Sequence, residues 1–116
     1  MASHSTASKR FACAPAFSEK AVEGVLAAVE PTRLQILFLI GERGRMCVGD
    51  IAKRFKISRP AISHHLKVLK NSGLVETERA GQEIYYTICT DSVVDTLRTL
   101  ADAMEACCGT AGRGSR

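Results

Sequence analysis

Five cysteines and three histidines carry most of the soft-donor and proton-transfer chemistry open to this 116-residue chain. The cysteines are Cys13, Cys47, Cys89, Cys107 and Cys108, an odd count without the regular spacing of a secreted disulfide scaffold, so a reducing, cytoplasmic compartment is expected. Cys107 and Cys108 are adjacent. Vicinal thiols within a regular helix point apart, but Gly109 follows directly and is expected to fray the helix, letting both sulfurs turn toward one ion. Cys89 closes a β-favouring run and reads as packing. His64 and His65 are neighbours on an expected helix, so their side chains diverge by about 100° and do not form a pair of metal ligands. Cys107 to Arg113 matches by count the Cys-x5-Arg loop of phosphatases, which works by preceding a helix whose N-terminus cradles an oxyanion. Only three residues follow Arg113, so no such helix is expected, and the chain is not read as an enzyme.

The charge is unevenly placed. The net charge is +4, yet between Asp50 and Glu76 the chain carries Lys53, Arg54, Lys56, Arg59, Lys67 and Lys70 and no acid. That stretch is +6, and the remainder sums to −2. A face of this kind attracts polyanions. At 46% hydrophobic and 24% charged the composition is globular. The longest nearly apolar run, Leu34 to Ile40, has seven residues, against the roughly 18 to 20 of a membrane-spanning helix, so no membrane partner is expected.

The elements that must position these residues follow from periodicity. Residues 1–16, rich in Ser and Ala and aperiodic, are expected to be a flexible tail, residues 17–108 one domain, and residues 109–116 a second flexible tail. Ser18 is placed to cap a helix with Val22, Val25, Leu26 and Val29 on one stripe, and Pro31 ends it while opening the next, about Thr32 to Ile40, stopped by Gly41. A short helix over about Val48 to Phe55, a turn at Lys56-Ile57 and a helix opened by Ser58 and Pro60 form a helix-turn-helix outline. On the second of these, Ile62, Leu66 and Leu69 mark the core face, which leaves the basic residues on other faces. Gly73 closes it. A hairpin of Leu74 to Glu78 and Gln82 to Cys89 turns at Arg79-Ala80-Gly81, and a last helix runs from Asp91 or Ser92 to about Cys107. The expected fold is therefore mainly α with a β-hairpin wing, a winged helix-turn-helix. The first and last helices carry more apolar surface than one small core covers, which points to a homodimer through them. Two recognition helices about 34 Å apart in such a dimer imply a pseudo-palindromic double-stranded DNA operator.

The stretch from Met46 to Tyr86 resembles the ArsR/SmtB family of metal- and metalloid-responsive transcriptional repressors. The resemblance rests on Ser58, Ser63, His64, His65 and Leu66 in the recognition helix, the following LKVLKNSGLV, and a wing ending in Tyr85-Tyr86. It implies that Arg59, Pro60, Ser63 and His64 reach base edges, with Lys67, Lys70 and the wing's Arg79 on phosphates. The family often has Gln where this chain has Arg59. Arginine reads guanine O6/N7 in the major groove, which would alter operator preference, whereas a phosphate contact would not. His65 is expected to wedge beside the core.

The resemblance also bears on the inducer. Members sensing Zn, Ni or Co place histidines on the last helix, and Asp91 to Cys108 has none. Members sensing arsenic or cadmium commonly carry Cys-Val-Cys before the turn; here Cys47-Val48-Gly49 lacks one thiol. Cys47 lies near a helix N-terminus, where the dipole favours thiolate. Other members build sites from C-terminal or N-terminal cysteines, which implies Cys107 and Cys108 with a third thiolate from Cys47 across the dimer or Cys13 of the tail. Three thiolates suit As(III) or Sb(III) first, then Cd(II), Pb(II) or Hg(II). The alternative is a redox or persulfide sensor using the same thiols.

Overall fold

The computed structural model describes residues 18–114, with side-chain environments over 18–108. Its helices are α1 (Glu19–Val29), α2 (Pro31–Arg43), α3 (Val48–Ala52), α4 (Arg59–Asn71) and α5 (Thr90–Gly114). The strands are β1 (Met46–Cys47), β2 (Val75–Ala80) and β3 (Glu83–Ile88), joined in the antiparallel order β1-β3-β2. This is the winged helix-turn-helix expected from the periodicity. Among the described residues no single helix is long and apolar enough to cross a membrane.

Local chemistry sets most boundaries. Ser18 caps α1 by accepting from the Ala21 amide at 3.2 Å. Glu30 adopts the extended conformation that a residue before proline prefers, and its carboxylate accepts from the Arg33 amide at 2.9 Å, capping α2. The chain bends by 77° between α1 and α2. Gly41 does not stop α2: the helix runs one turn further and ends at Gly44, whose amide donates to Ile40 at 2.8 Å. A lone glycine costs a helix only about 1 kcal/mol, and a β-carbon here would meet Ile88 of β3 at 3.8 Å, ordinary packing contact.

Ser58 opens α4 by accepting from the Ala61 amide at 3.2 Å, with Pro60 in the first turn. Its exit is a left-handed cap. Gly73 has φ +77°, a region in which a β-carbon is strained, and the Leu74 amide donates back to the Leu69 carbonyl at 3.0 Å. The wing is in register from Val75 opposite Ile88 to Ala80 opposite Glu83, so its turn is Gly81-Gln82; β2 runs two residues further toward the tip than expected, and β3 begins one residue later. The pairing of Met46 with Tyr86 and Cys47 with Tyr85 adds a third strand that the sequence did not announce.

The core lies where α2, α4 and the sheet meet. Ile36, Ile40, Ile51, Ile62, Leu66, Leu69 and Leu74 are fully buried. Val25 of α1 forms a satellite cluster with Ala21, Val22, Leu100 and Ala103, so the first and last helices pack on each other within one chain. The approach at Gly24 is close, since a β-carbon there would lie 3.3 Å from Thr96 Cγ2. Leu26, Val29, Val94 and Met104 of the same two helices remain exposed.

One expectation about the end of the chain is corrected. α5 does not stop near Cys107; its backbone continues through Gly109 to Gly114. Glycine weakens a helix interior without forbidding it, and Thr110 and Ala111 beyond it continue the turn. Residues 1–16, expected to be a tail, lie outside the described residues, as do 115 and 116.

Candidate nucleic-acid interface and thiols

Helix α4 separates two chemistries by face. Ile62, Leu66 and Leu69 are at 0% exposure, whereas Arg59, Pro60, Ser63, His64, Lys67 and Lys70 are all exposed. The sequence-expected contact residues thus share the outward side of one helix, with no acid between Arg59 and Asn71 to offset their charge. Arg79 is exposed on β2 opposite Ile84, near the tip of the wing. Helix and wing together present cations on two elements. Lys53, by contrast, is partly committed to Asp50 at 3.9 Å, a weak exposed pair.

Two details sharpen this picture. The guanidinium of Arg59 folds back over α3: a β-carbon on Gly49 would sit 3.8 Å from both terminal nitrogens. The position where the resemblance leads one to look for a second thiol is therefore open to the Arg59 side chain. His64 and His65 diverge as expected, with ring centroids 6.0 Å apart and planes tilted by 55°. His64 faces out, and His65 is half-buried with its Nδ1 3.1 Å from Arg33 Nη1.

The wing has an anchor that sequence reasoning missed. Arg45, in the loop before β1, lies with its guanidinium carbon 4.1 Å from the Tyr85 ring centroid and donates to Glu78 at 3.2 Å. Tyr85 and Glu78 are cross-strand partners on β3 and β2. One arginine thereby ties the loop that leads into β1 to both strands of the wing, which no local spacing signals.

The thiols are scattered. Cys47 is buried in the sheet opposite Tyr85 and makes no side-chain capping bond to α3. Cys107 and Cys108 are exposed on α5. Because that helix continues past Gly109, the two side chains leave it about 100° apart and do not converge on one ion by fraying. Cys108 is free, and Cys107 is disulfide-bonded. Cys13 lies outside the described residues. Among the described residues no three His, Cys, Asp or Glu side chains come together as a metal site within one chain. Cys89, half-buried, has its thiol pushed up from the usual range by burial first, then by the charge and hydrogen bonding of Glu76.

The exposed basic helix, its partner helix across a tight turn and the wing define a winged helix-turn-helix DNA-binding regulator rather than an enzyme. The family description "Bacterial regulatory protein, arsR family" matches residues 30–77. The uncharacterized HTH-type transcriptional regulator MJ1325 of Methanocaldococcus jannaschii is 42% identical over 80 residues, covering 69% of this chain and 90% of that one. The transcriptional repressor SdpR of Bacillus subtilis is 46% identical over 68 residues, 59% of this chain and 74% of its own. Among solved structures, a possible transcriptional regulator for arsenical resistance superposes with TM-score 0.64 at 35% identity, over 72% of this chain and 84% of that chain. The homodimeric winged helix-turn-helix DNA-binding domain Mb0332 from Mycobacterium bovis superposes with TM-score 0.61 at 31% identity, over 75% and 81%. The chain belongs to the ArsR family of bacterial transcriptional repressors.

Proposed function

We propose that this repressor acts in the cytoplasm as a homodimer on a pseudo-palindromic double-stranded DNA operator and is released by a thiophilic inducer, As(III) or Sb(III) first, bound by cysteine thiolates. One observation carries the DNA half: Arg59, Ser63, His64, Lys67 and Lys70 are all exposed on α4, outside the stripe of its three fully buried residues. Arg59, Pro60, Ser63 and His64 at the front of the helix are the base-reading set; Lys67, Lys70 and Arg79 hold phosphates. Leu26, Val29, Val94 and Met104, exposed on α1 and α5, support pairing with a second copy. The homodimeric relative has the same architecture.

The inducer reading is supported by the likeness to a possible transcriptional regulator for arsenical resistance and by the exposed Cys107-Cys108 pair in the C-terminal half of α5. Once Cys107 is reduced and the end of α5 reshapes around the ion, Cys107 and Cys108 supply two thiolates, and Cys13 or the Cys47 of the second copy supplies a third; Cd(II), Pb(II) and Hg(II) are the other ions that suit such donors. A hundredfold loss of operator affinity needs about 2.7 kcal/mol of differential binding between the two dimer geometries. The test is operator binding with As(III), Cd(II) and Hg(II), repeated on each single Cys→Ser variant. Release by As(III) that Cys107→Ser and Cys108→Ser abolish supports the reading; release that survives both substitutions overturns it.

The disulfide at Cys107 favours a second reading, thiol oxidation as the signal. Two thiols would lose two protons and two electrons to an oxidant such as a peroxide and form the S–S bond. Operator release by peroxide, reversed by a dithiol and insensitive to every thiophilic ion, would select this reading.

A further inference from the structure

Arg33 sits at the joint of three helices. It belongs to the first turn of α2, where its own amide is held by the Glu30 carboxylate. Its guanidinium reaches in two directions. Nε donates to the Ala27 carbonyl at 2.8 Å and Nη2 to the Leu26 carbonyl at 3.4 Å, both among the last four carbonyls of α1, which have no partner within that helix. Nη1 meets Nδ1 of His65 on α4 at 3.1 Å. A guanidinium offers only donors, so Nδ1 is the acceptor and the ring proton lies on Nε2. His65 stands between exposed His64 and fully buried Leu66 on the recognition helix. Among the described residues this is the side-chain hydrogen bond that joins α4 to another helix.

The side of α1 away from this joint packs on α5 through Val25, Leu100 and Ala103. A cation at the C-terminal end of α1 also suits the helix dipole. We infer that Arg33 is a positioning residue: by bridging the end of α1 to His65 it sets the angle of the recognition helix against the α1/α5 layer. In consequence the angle at which Ser63 and Arg59 are presented depends on a residue that touches no DNA. The geometry is specific to arginine. Lysine keeps the charge but presents a point donor, which cannot bond two α1 carbonyls and an imidazole in opposite directions. At position 65 the demand is only for an acceptor, which a glutamine carbonyl meets and a leucine does not.

The inference rests on α4 being the DNA-reading helix, and its test separates the two. Affinity is measured for a duplex that the wild-type chain selects from a random pool and for unselected mixed-sequence duplex, with far-ultraviolet circular dichroism confirming folding. Arg33→Met and His65→Leu are each expected to weaken the selected duplex on the order of tenfold while the unselected duplex changes less than about twofold. The double variant is expected to be no worse than either single one, and His65→Gln to stay near wild type. Arg33→Lys is expected to fall with Arg33→Met. Additive losses, equal losses on both duplexes, or His65→Gln behaving like His65→Leu would overturn the inference, and if Arg33→Met fails to fold the two His65 variants decide it. Ser63→Ala and Lys67→Ala run alongside. Full selected-duplex affinity in both would remove α4 as the reading helix and the inference with it; loss there with none at Arg33 and His65 would remove the inference alone.

Discussion

Arg45 lies over the face of Tyr85, 4.1 Å from the guanidinium carbon to the ring centroid, while the same group donates to Glu78 on the neighbouring strand. The side chains of Arg45 and Glu78 are 47% and 63% exposed, so solvent weakens the ion pair and the ring contact supplies the larger share. Arg45→Ala is expected to cost about 1 kcal/mol and lower the melting temperature by about 4–8 °C at fixed protein concentration. High salt should recover little of the difference, because it screens the Glu78 pair and leaves the ring contact. Calorimetry of wild type, Arg45→Ala and Glu78→Gln at two salt concentrations checks this.

The core prediction concerns Leu66, at 0% exposure on the inner face of the recognition helix. Leu66→Ala leaves a cavity between α4 and α2 and is expected to cost about 2–5 kcal/mol in denaturant melts. Ser63→Ala, three residues away and exposed, is expected to change stability by less than about 0.5 kcal/mol. Equal losses at the two positions would contradict the assignment of faces.

For DNA, six to ten phosphate contacts per dimer predict that log K falls with log salt at a slope of roughly −5 to −9. Lys67→Ala should weaken all sequences alike and reduce that slope by about 1 per protomer contact. Arg59→Ala should also relax sequence preference if the guanidinium leaves its place over Gly49 to read guanine. Binding titrations at four salt concentrations on selected and unselected duplexes distinguish these behaviours.

Cys89 provides a pH test. Its thiol is pushed up in the folded chain by burial and by Glu76, so the folded state keeps that proton to higher pH than the unfolded state. The resulting contribution to stability is present below the ordinary thiol range and is lost as pH rises through the raised value. At pH 8 Cys89 should be alkylated more slowly than exposed Cys108, and Glu76→Gln should speed it. Peptide mapping after a timed iodoacetamide pulse reads both rates.

Much of this architecture is written in local chemistry. Ser18, Pro31, Ser58 and Gly73 mark helix ends through caps and proline geometry that act within a few residues, and the structure places them as expected. Where position depends on distant partners, spacing is silent. Met46 and Cys47 form a strand only because Tyr85 and Tyr86 arrive beside them, and Gly41 stays helical with Ile88 packed against it. Gly109 is the same lesson in reverse, a residue that often ends helices lying within one. The outward face of α4 was legible because three buried residues at helical spacing determine the opposite side. Arg33 was not, since its partner is 32 residues away and nothing near either residue marks the pair.

The length of α5 gives it leverage. From Thr90, beside the base of the wing, to Cys107 is 17 residues, about 26 Å of straight rod at 1.5 Å per residue. A tilt of about 5° at its root would sweep the sulfur-bearing end through about 2 Å, and the same ratio runs backwards: modest tugs on those sulfurs arrive at the wing as torque.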